Sequence, residues 1–244
     1  MGIPFLSATS NLILLDLHSN QFQGVIPILP PSATYLDYSR SNFSSVIPNN
    51  IGDYLSFTYF FSLANNNFYG SIPESICRAP YLEVFDLSKY SLNGIIPTCL
   101  AAAIENLGVL NLRRNKVHGT ISDTFVDNCR LTTLDLNGNQ LEGKLPASLV
   151  NYKMLEILDI GNNQIYDTFP CSLHIISRLR ALVLRSNKFH GTIGCVGTNS
   201  TWPVLQIIDL AGNNFIGNLS HEQFLTWKAM MANALLVKAQ SSPI

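Results

Sequence analysis

Six aspartates, Asp16, Asp37, Asp86, Asp135, Asp159 and Asp209, recur at measured intervals, and Arg113 and Arg185 stand just behind two of the gaps in that series. Carboxylates in such a row accept hydrogen bonds, and a guanidinium answers them with directional, charge-assisted ones. The pairing predicted is diagonal: Asp135 or Asp86 with Arg113, and Asp159 or Asp209 with Arg185. Exposed pairs of this kind contribute little to stability, so the arginines either balance the aspartates or meet a ligand. Catalysis has less to build on. No Ser–His–Asp set, paired-carboxylate site or phosphate loop can be assembled here. The five histidines are scattered, and no Cys/His group has zinc spacing. The expectation is therefore no enzyme, no metal and no cofactor.

What positions these residues is a repeat. A frame Leu-x-x-Leu-x-Leu-x-x-Asn, then x-Leu-x-Gly-x-Ile-Pro, recurs with anchors at Asn20, Ser41, Asn66, Tyr90, Asn115, Asn139, Asn163, Asn187 and Asn213. Gaps of 21 to 26 residues with this apolar pattern are those of a leucine-rich repeat. The fold class expected is an α/β repeat: a right-handed solenoid of nine coils, with a parallel concave sheet and short helical or 3₁₀ turns on the convex side. Coils are numbered one to nine by these anchors. Residues five and three before each anchor, such as Phe61/Leu63 and Leu158/Ile160, face inward, and those six, four and two before it face the concave side. The anchor amide turns the chain and bonds buried backbone. Tyr90 is too large to copy that role, which predicts a locally irregular coil. Glycine at plus four, as in Gly70 and Gly143, suits positive φ or close backbone approach. Proline at plus seven ends pairing on that side.

Composition agrees. Of 244 residues, 47% are apolar and 13% charged, with a net charge of −1. That gives no pull toward nucleic acid and fits a stacked core. No apolar run reaches the roughly 18–20 residues that span a bilayer. The start, Met-Gly-Ile-Pro-Phe-Leu, is short for a signal peptide. Residues 1–220 are expected to form the array. Residues 221–244, with Phe224, Trp227, Met230 and Met231 at helical spacing, are expected to form a helical segment leaving it.

Cys171 and Cys195 lie eight after their anchors in adjacent coils, and Cys77 and Cys99 are also one coil apart. Stacking brings such pairs near bonding distance, roughly 4.4–6.8 Å between Cα atoms, and leaves Cys129 free. Two aligned pairs point to an oxidising compartment. Three glycosylation sequons begin at Asn42, Asn199 and Asn218. Arg113, Arg114 and Arg185, with Asp135 and Asp159, make a candidate polar strip for a peptide or glycan. Tyr35, Tyr59 and Phe60 add aromatic surface.

The Gly-x-Ile-Pro element resembles that of plant extracellular leucine-rich repeats. More narrowly, Gly70-Ser-Ile-Pro-Glu-Ser-Ile-Cys77, Asp167-Thr-Phe-Pro-Cys171, Leu184-Arg-Ser-Asn187, Thr201-Trp-Pro-Val-Leu-Gln and Trp227-Lys-Ala-Met-Met231 resemble plant receptor-like proteins of the disease-resistance type. That resemblance implies a glycoprotein receptor without a kinase on the outer side of the plasma membrane. It implies binding of a peptide, protein or glycan that signals pathogens or development, and signalling through co-receptor kinases. It implies membrane attachment only through parts not present here. It also implies that Tyr152 stands where a partner for Cys129 is common. The absence of cap, anchor and tail features implies an ectodomain fragment. Competing readings are a soluble wall protein of the polygalacturonase-inhibitor kind, a wall-active β-helix enzyme, which would gather its carboxylates at one site, and a non-functional receptor remnant.

Overall fold

The computed structural model describes residues 11–102, 106–125, 129–195, 201–219 and 227–229. Nine three-residue strands, Leu14–Asp16, Tyr35–Asp37, Phe60–Ser62, Val84–Asp86, Val109–Asn111, Thr133–Asp135, Ile157–Asp159, Ala181–Val183 and Ile207–Asp209, pair in chain order as one parallel sheet. The register never slips: Leu15 pairs with Leu36, Phe61 with Phe85, Leu134 with Leu158 and Leu182 with Ile208. A one-residue slip would turn every apolar side chain outward, and the inward pairs hold it. Leu36, Leu63, Leu87, Leu112, Leu158, Ile160 and Leu184 are fully buried. Each contributes about 1.5–3 kcal/mol by leaving water.

The anchor amides form the ladder the sequence implies. Asn163 shows the pattern. Its Oδ1 accepts the Leu141 N–H at 3.0 Å, while its Nδ2 donates to Leu136 O and Ile160 O at 3.0 Å each and to Gly161 O at 3.1 Å. Asn66, Asn115, Asn139, Asn187 and Asn213 repeat it. The irregular coil expected at Tyr90 does not occur in the sheet, where the Phe60, Val84 and Val109 strands pair in unbroken register. The Tyr90 ring is buried and turns edge-on to Phe68, with centroids 5.5 Å apart. The ladder resumes at Asn115, whose Oδ1 takes the Leu92 N–H.

Four further ladders, not foreseen from the sequence, lie just past the anchors. They pair Gln23–Gly24 with Asn42–Phe43, Tyr69–Ser71 with Ser91–Asn93, and His190–Thr192 with Asn214–Ile216, and they run His118–Thr120 to Gln140–Gly143 to Gln164–Ile165. The plus-four glycines sit in these ladders or directly after them, at positive φ. At Gly143, with φ 81°, an added Cβ would also stand 2.8 Å from Thr120 Cγ2. Phe22, Phe43 and Phe68 stack beneath, with centroids 6.2 and 6.4 Å apart. The convex side carries 3₁₀ segments at Ile51–Tyr54, Glu74–Arg78, Ala147–Asn151 and Cys171–Ile175, and one helical turn at Cys99–Ala102.

Cys77 is bonded to Cys99 and Cys171 to Cys195, with Cα atoms 5.6 and 5.4 Å apart. Cys129 is free and buried beside Tyr152, whose hydroxyl is pushed up by burial and by the neighbouring thiol. Trp227 is buried. The rest of the expected terminal helix, including Phe224, Met230 and Met231, and the boundary at residue 220 lie outside the described residues. Among the described residues no helix is long and apolar enough to cross a membrane.

Candidate functional site: the concave face

Each strand presents two outward residues, and a third follows at its exit, so the face carries three columns. The first, six before the anchor, is almost entirely apolar: Leu14, Tyr35, Phe60, Val84, Val109, Ile157, Ala181 and Ile207, broken by Thr133. Several of these lie open to water, with Ile157 40% and Ile207 58% exposed. The second is the aspartate column. The third, two before the anchor, varies most.

The aspartates do a structural task that the sequence reading missed. In every coil that carries one, the aspartate caps the strand exit by accepting the N–H two residues on; coil eight, with Val183 in the column, lacks the bond. Asp37 takes it from Ser39 at 2.8 Å, Asp86 from Ser88 at 2.8 Å, Asp135 from Asn137 at 3.0 Å and Asp159 from Gly161 at 3.0 Å. Asn111 does the same for Arg113 at 3.2 Å, and Ser62 does so at 3.4 Å. Short acceptor side chains favour this local bond. One oxygen of each aspartate is thereby committed to the fold, and in Asp86, Asp135 and Asp209 the other meets a side chain of a neighbouring coil.

The diagonal pairs resolve in one direction, each arginine reaching the aspartate of the following coil. Arg113 Nε lies 3.7 Å from Asp135 Oδ2, and Arg185 Nη1 lies 3.2 Å from Asp209 Oδ2. Asn137 Nδ2 bonds Asp159 Oδ1 at 2.9 Å on the same diagonal. Burial pushes the Asp135 carboxyl up to about 6; Asp159 and Asp86 add to this, while the Asn137 N–H and Arg113 oppose it. Arg114 lies one residue further on, exposed in the turn at φ 55°. The face thus holds Arg113 and Arg185 in its columns and Arg114 at its edge.

Tyr35 and Phe60 stack at 4.3 Å with planes 8° apart, and Tyr59 meets Tyr35 edge-on at 6.4 Å. Beside them coil three contributes only Ser62 and Ala64 to the polar columns. A cavity of about 240 Å³ opens there between Asp37 and Asp86, with Arg40 and Lys89 at its rim. Its sign in the sequence is the pair Ser62 and Ala64, since in coil three neither of these two outward positions carries a side chain longer than serine. Across coils one and two, the carboxylate oxygens of Asp16 and Asp37 and a ring nitrogen of His18 lie within 4.8 Å of one another, and His18 Nδ1 is 2.6 Å from Asp16 Oδ1.

Of the sequons, Asn42 and Asn218 are exposed, and Asn199 lies outside the described residues. The Asn42 side chain already accepts a hydrogen bond from Asn67.

Residues 105–165 match the family model described as Leucine rich repeat. Receptor-like protein 35 of Arabidopsis thaliana is 38% identical over 225 residues, which are 88% of this chain and 23% of that protein. Receptor-like protein 6 of Arabidopsis thaliana is 40% identical over 118 residues, 48% of this chain and 9% of that protein. The chain thus spans less than a quarter of the length of either. Among solved structures, the Arabidopsis receptor kinase HAESA, in complex with the peptide hormone IDA and the co-receptor SERK1, superposes with a TM-score of 0.78. It is 29% identical, over 91% of this chain and 37% of that one. A plant ice-binding protein superposes at 0.73 over 85% of this chain and 66% of its own, with 23% identity, and so shares the fold alone.

Proposed function

We propose that this chain, a leucine-rich-repeat array similar to plant receptor-like proteins, is a non-enzymatic extracellular recognition module that binds an extended peptide across its concave sheet. The observation that carries the reading is the three-column face. An apolar column, a carboxylate column and a mixed polar column run side by side over the sheet, with the carboxylates of the middle column already fixed by bonds to their own backbone. An extended peptide laid across the strands meets apolar contacts on one flank and hydrogen-bonding groups on the other. Fixing those groups beforehand lowers the ordering cost of binding. Fold alone would not assign this role, since unrelated tasks share folds. The HAESA complex, with its peptide hormone and co-receptor, supports a peptide as the ligand class. Two disulfides support an oxidising, extracellular setting. In this reading the full receptor sits in the plasma membrane and passes the signal to partner kinases.

The test is selection of a displayed random-peptide library against the chain, with bound peptides located by hydrogen-exchange protection. Protection is expected on the concave strands of the middle coils. Replacing Arg113 and Arg114 together by alanine is expected to weaken binding by about 2 kcal/mol, near thirtyfold. Protection confined to the convex 3₁₀ segments, or failure to select any peptide, would overturn the reading.

A further inference from the structure

The diagonal rule on the concave face has a gap. Arg113 reaches Asp135, Asn137 reaches Asp159, and Arg185 reaches Asp209. The same diagonal in coil three runs from Ala64 to Asp86, and Ala64 has no group to send. Asp86 accepts the Asn111 amide at 3.1 Å and its own Ser88 N–H, but no cation pairs with it among the described residues. Two strands away Asp37 is more than nine-tenths buried, at 9% exposure. Its Oδ1 takes the Ser39 N–H, and no hydrogen bond to its Oδ2 is found among the described residues. The nearest basic group on that side, His18, is engaged with Asp16 at 2.6 Å. Asp37 and Asp86 both line the cavity of about 240 Å³, together with Phe60, Ser62, Ala64 and the two cations Arg40 and Lys89. Asp86 is half-buried; a carboxylate drawn out of water without a paired counter-charge is costly, and two that line one recess call for the same kind of partner.

We infer that this recess receives the guanidinium of an arginine side chain of the peptide ligand, in the place where coils five and eight supply an arginine of their own. The inference rests on the concave-face reading above. Three features select a guanidinium over an ammonium or a sugar. It is planar and stacks on an aromatic face such as Phe60, which Tyr35 backs at 4.3 Å. It offers donors on both sides, toward two carboxylates whose backbones are about 10 Å apart at two strand spacings. It also matches a carboxylate bidentately. Arg40 and Lys89, exposed on the rim at the turn side, favour an acidic group next to that arginine, so the segment bound is dipolar.

The experiment titrates the oxidised full chain with N-acetyl-L-arginine methylamide and with its neutral citrulline isostere, following backbone amides by NMR. Saturable shifts at Ser62, Ala64 and Ser88 are expected with the arginine compound and not with citrulline. Asp37→Asn is expected to weaken binding at least tenfold while leaving the spectrum folded, because Asn111 already holds the equivalent place in coil five and keeps the strand-exit bond. Ala64→Arg, which copies Arg113 and Arg185, is expected to pair with Asp86 and abolish binding. Equal binding of citrulline, no saturable shift in the recess, or undiminished binding by Ala64→Arg would overturn the inference. Selected peptides that protect the concave strands but bind Ala64→Arg unchanged would sink the arginine pocket and leave the peptide-binding reading intact. Arginine binding in the recess without any peptide selected on the face would do the reverse.

Discussion

Replacing Asn163 by alanine deletes an amide that serves two coils at once. The Leu141 N–H, whose acceptor is Asn163 Oδ1 at 3.0 Å, is left buried and unpaired. An orphaned buried donor costs about 1–3 kcal/mol. The carbonyls fare better. Leu136 O keeps the Asn139 amide at 2.9 Å and Ile160 O keeps the Asn187 amide at 2.9 Å, so each loses one of two bonds. Those losses add roughly 0.5–1.5 kcal/mol apiece at most, and a total near 3 kcal/mol follows. Asn20 is the control. It is exposed at the first coil, and its amide donates to Leu17 O and His18 O at 3.1 Å each. Asn20→Ala is therefore expected to cost under about 1 kcal/mol. Coils of a solenoid open locally, so the assay is hydrogen exchange at single amides together with urea unfolding of the oxidised chain. Leu141 is expected to exchange roughly a hundredfold faster in Asn163→Ala. Equal costs for the two variants would show that the ladder only follows the coil and does not hold it.

Gly143→Ala is expected to destabilise the array by about 1–3 kcal/mol, since its φ is 81° and the new Cβ meets Thr120 Cγ2 at 2.8 Å. Gly24→Ala, with φ 92° and nothing within 4 Å, is expected to cost less, and matched urea midpoints decide it. Replacing Cys77 and Cys99 together by serine opens a link between residues 22 apart in sequence. On the chain-entropy account it is expected to cost about 3 kcal/mol, read by unfolding with the second bridge kept oxidised. Asp135 binds its proton more tightly folded, near pH 6, than an unfolded aspartate does, near 3.9. The native state therefore holds more protons between those values, and stability is expected to fall by up to about 2 kcal/mol as pH rises from 4 to 6. Asp135→Asn is expected to flatten that slope, and an unchanged slope in the variant would assign it to another group.

Burial has a fixed beat in this chain, which is why so much of the fold was legible. Leu134 and Leu136, or Phe85 and Leu87, name the sheet and its register, because any other phase would expose them. The cysteines followed from the same beat. One feature escaped because it is set by backbone shape and not by residue type. The residue before every anchor is left-handed, yet Ser19, Arg40, Lys89 and Arg114 occupy that place as well as Gly138, so no glycine signal marked it. Tyr90 misled by size, since its ring finds room edge-on beside Phe68. The aspartate column read as charge and proved to be mainly a strand-exit cap, a task that Asn111 and Ser62 share without any charge. Asn and Ser in the same column were the available clue. The recess was hardest to read because it consists of what coil three lacks.

The unbroken register also makes the face a ruler. Adjacent strands stand about 4.8 Å apart, so any two features separated by whole coils sit at a multiple of that step. The void over Ser62 and the guanidinium of Arg113 belong to coils three and five, two steps or about 10 Å apart. A chain crossing the strands at about 3.3 Å per residue covers that in three residues. Gain or loss of one whole coil between them would leave every core contact and ladder bond in phase while moving the two marks by a single graduation. Duplication of repeats in such a gene therefore retunes the spacing that a ligand must match without first damaging the scaffold.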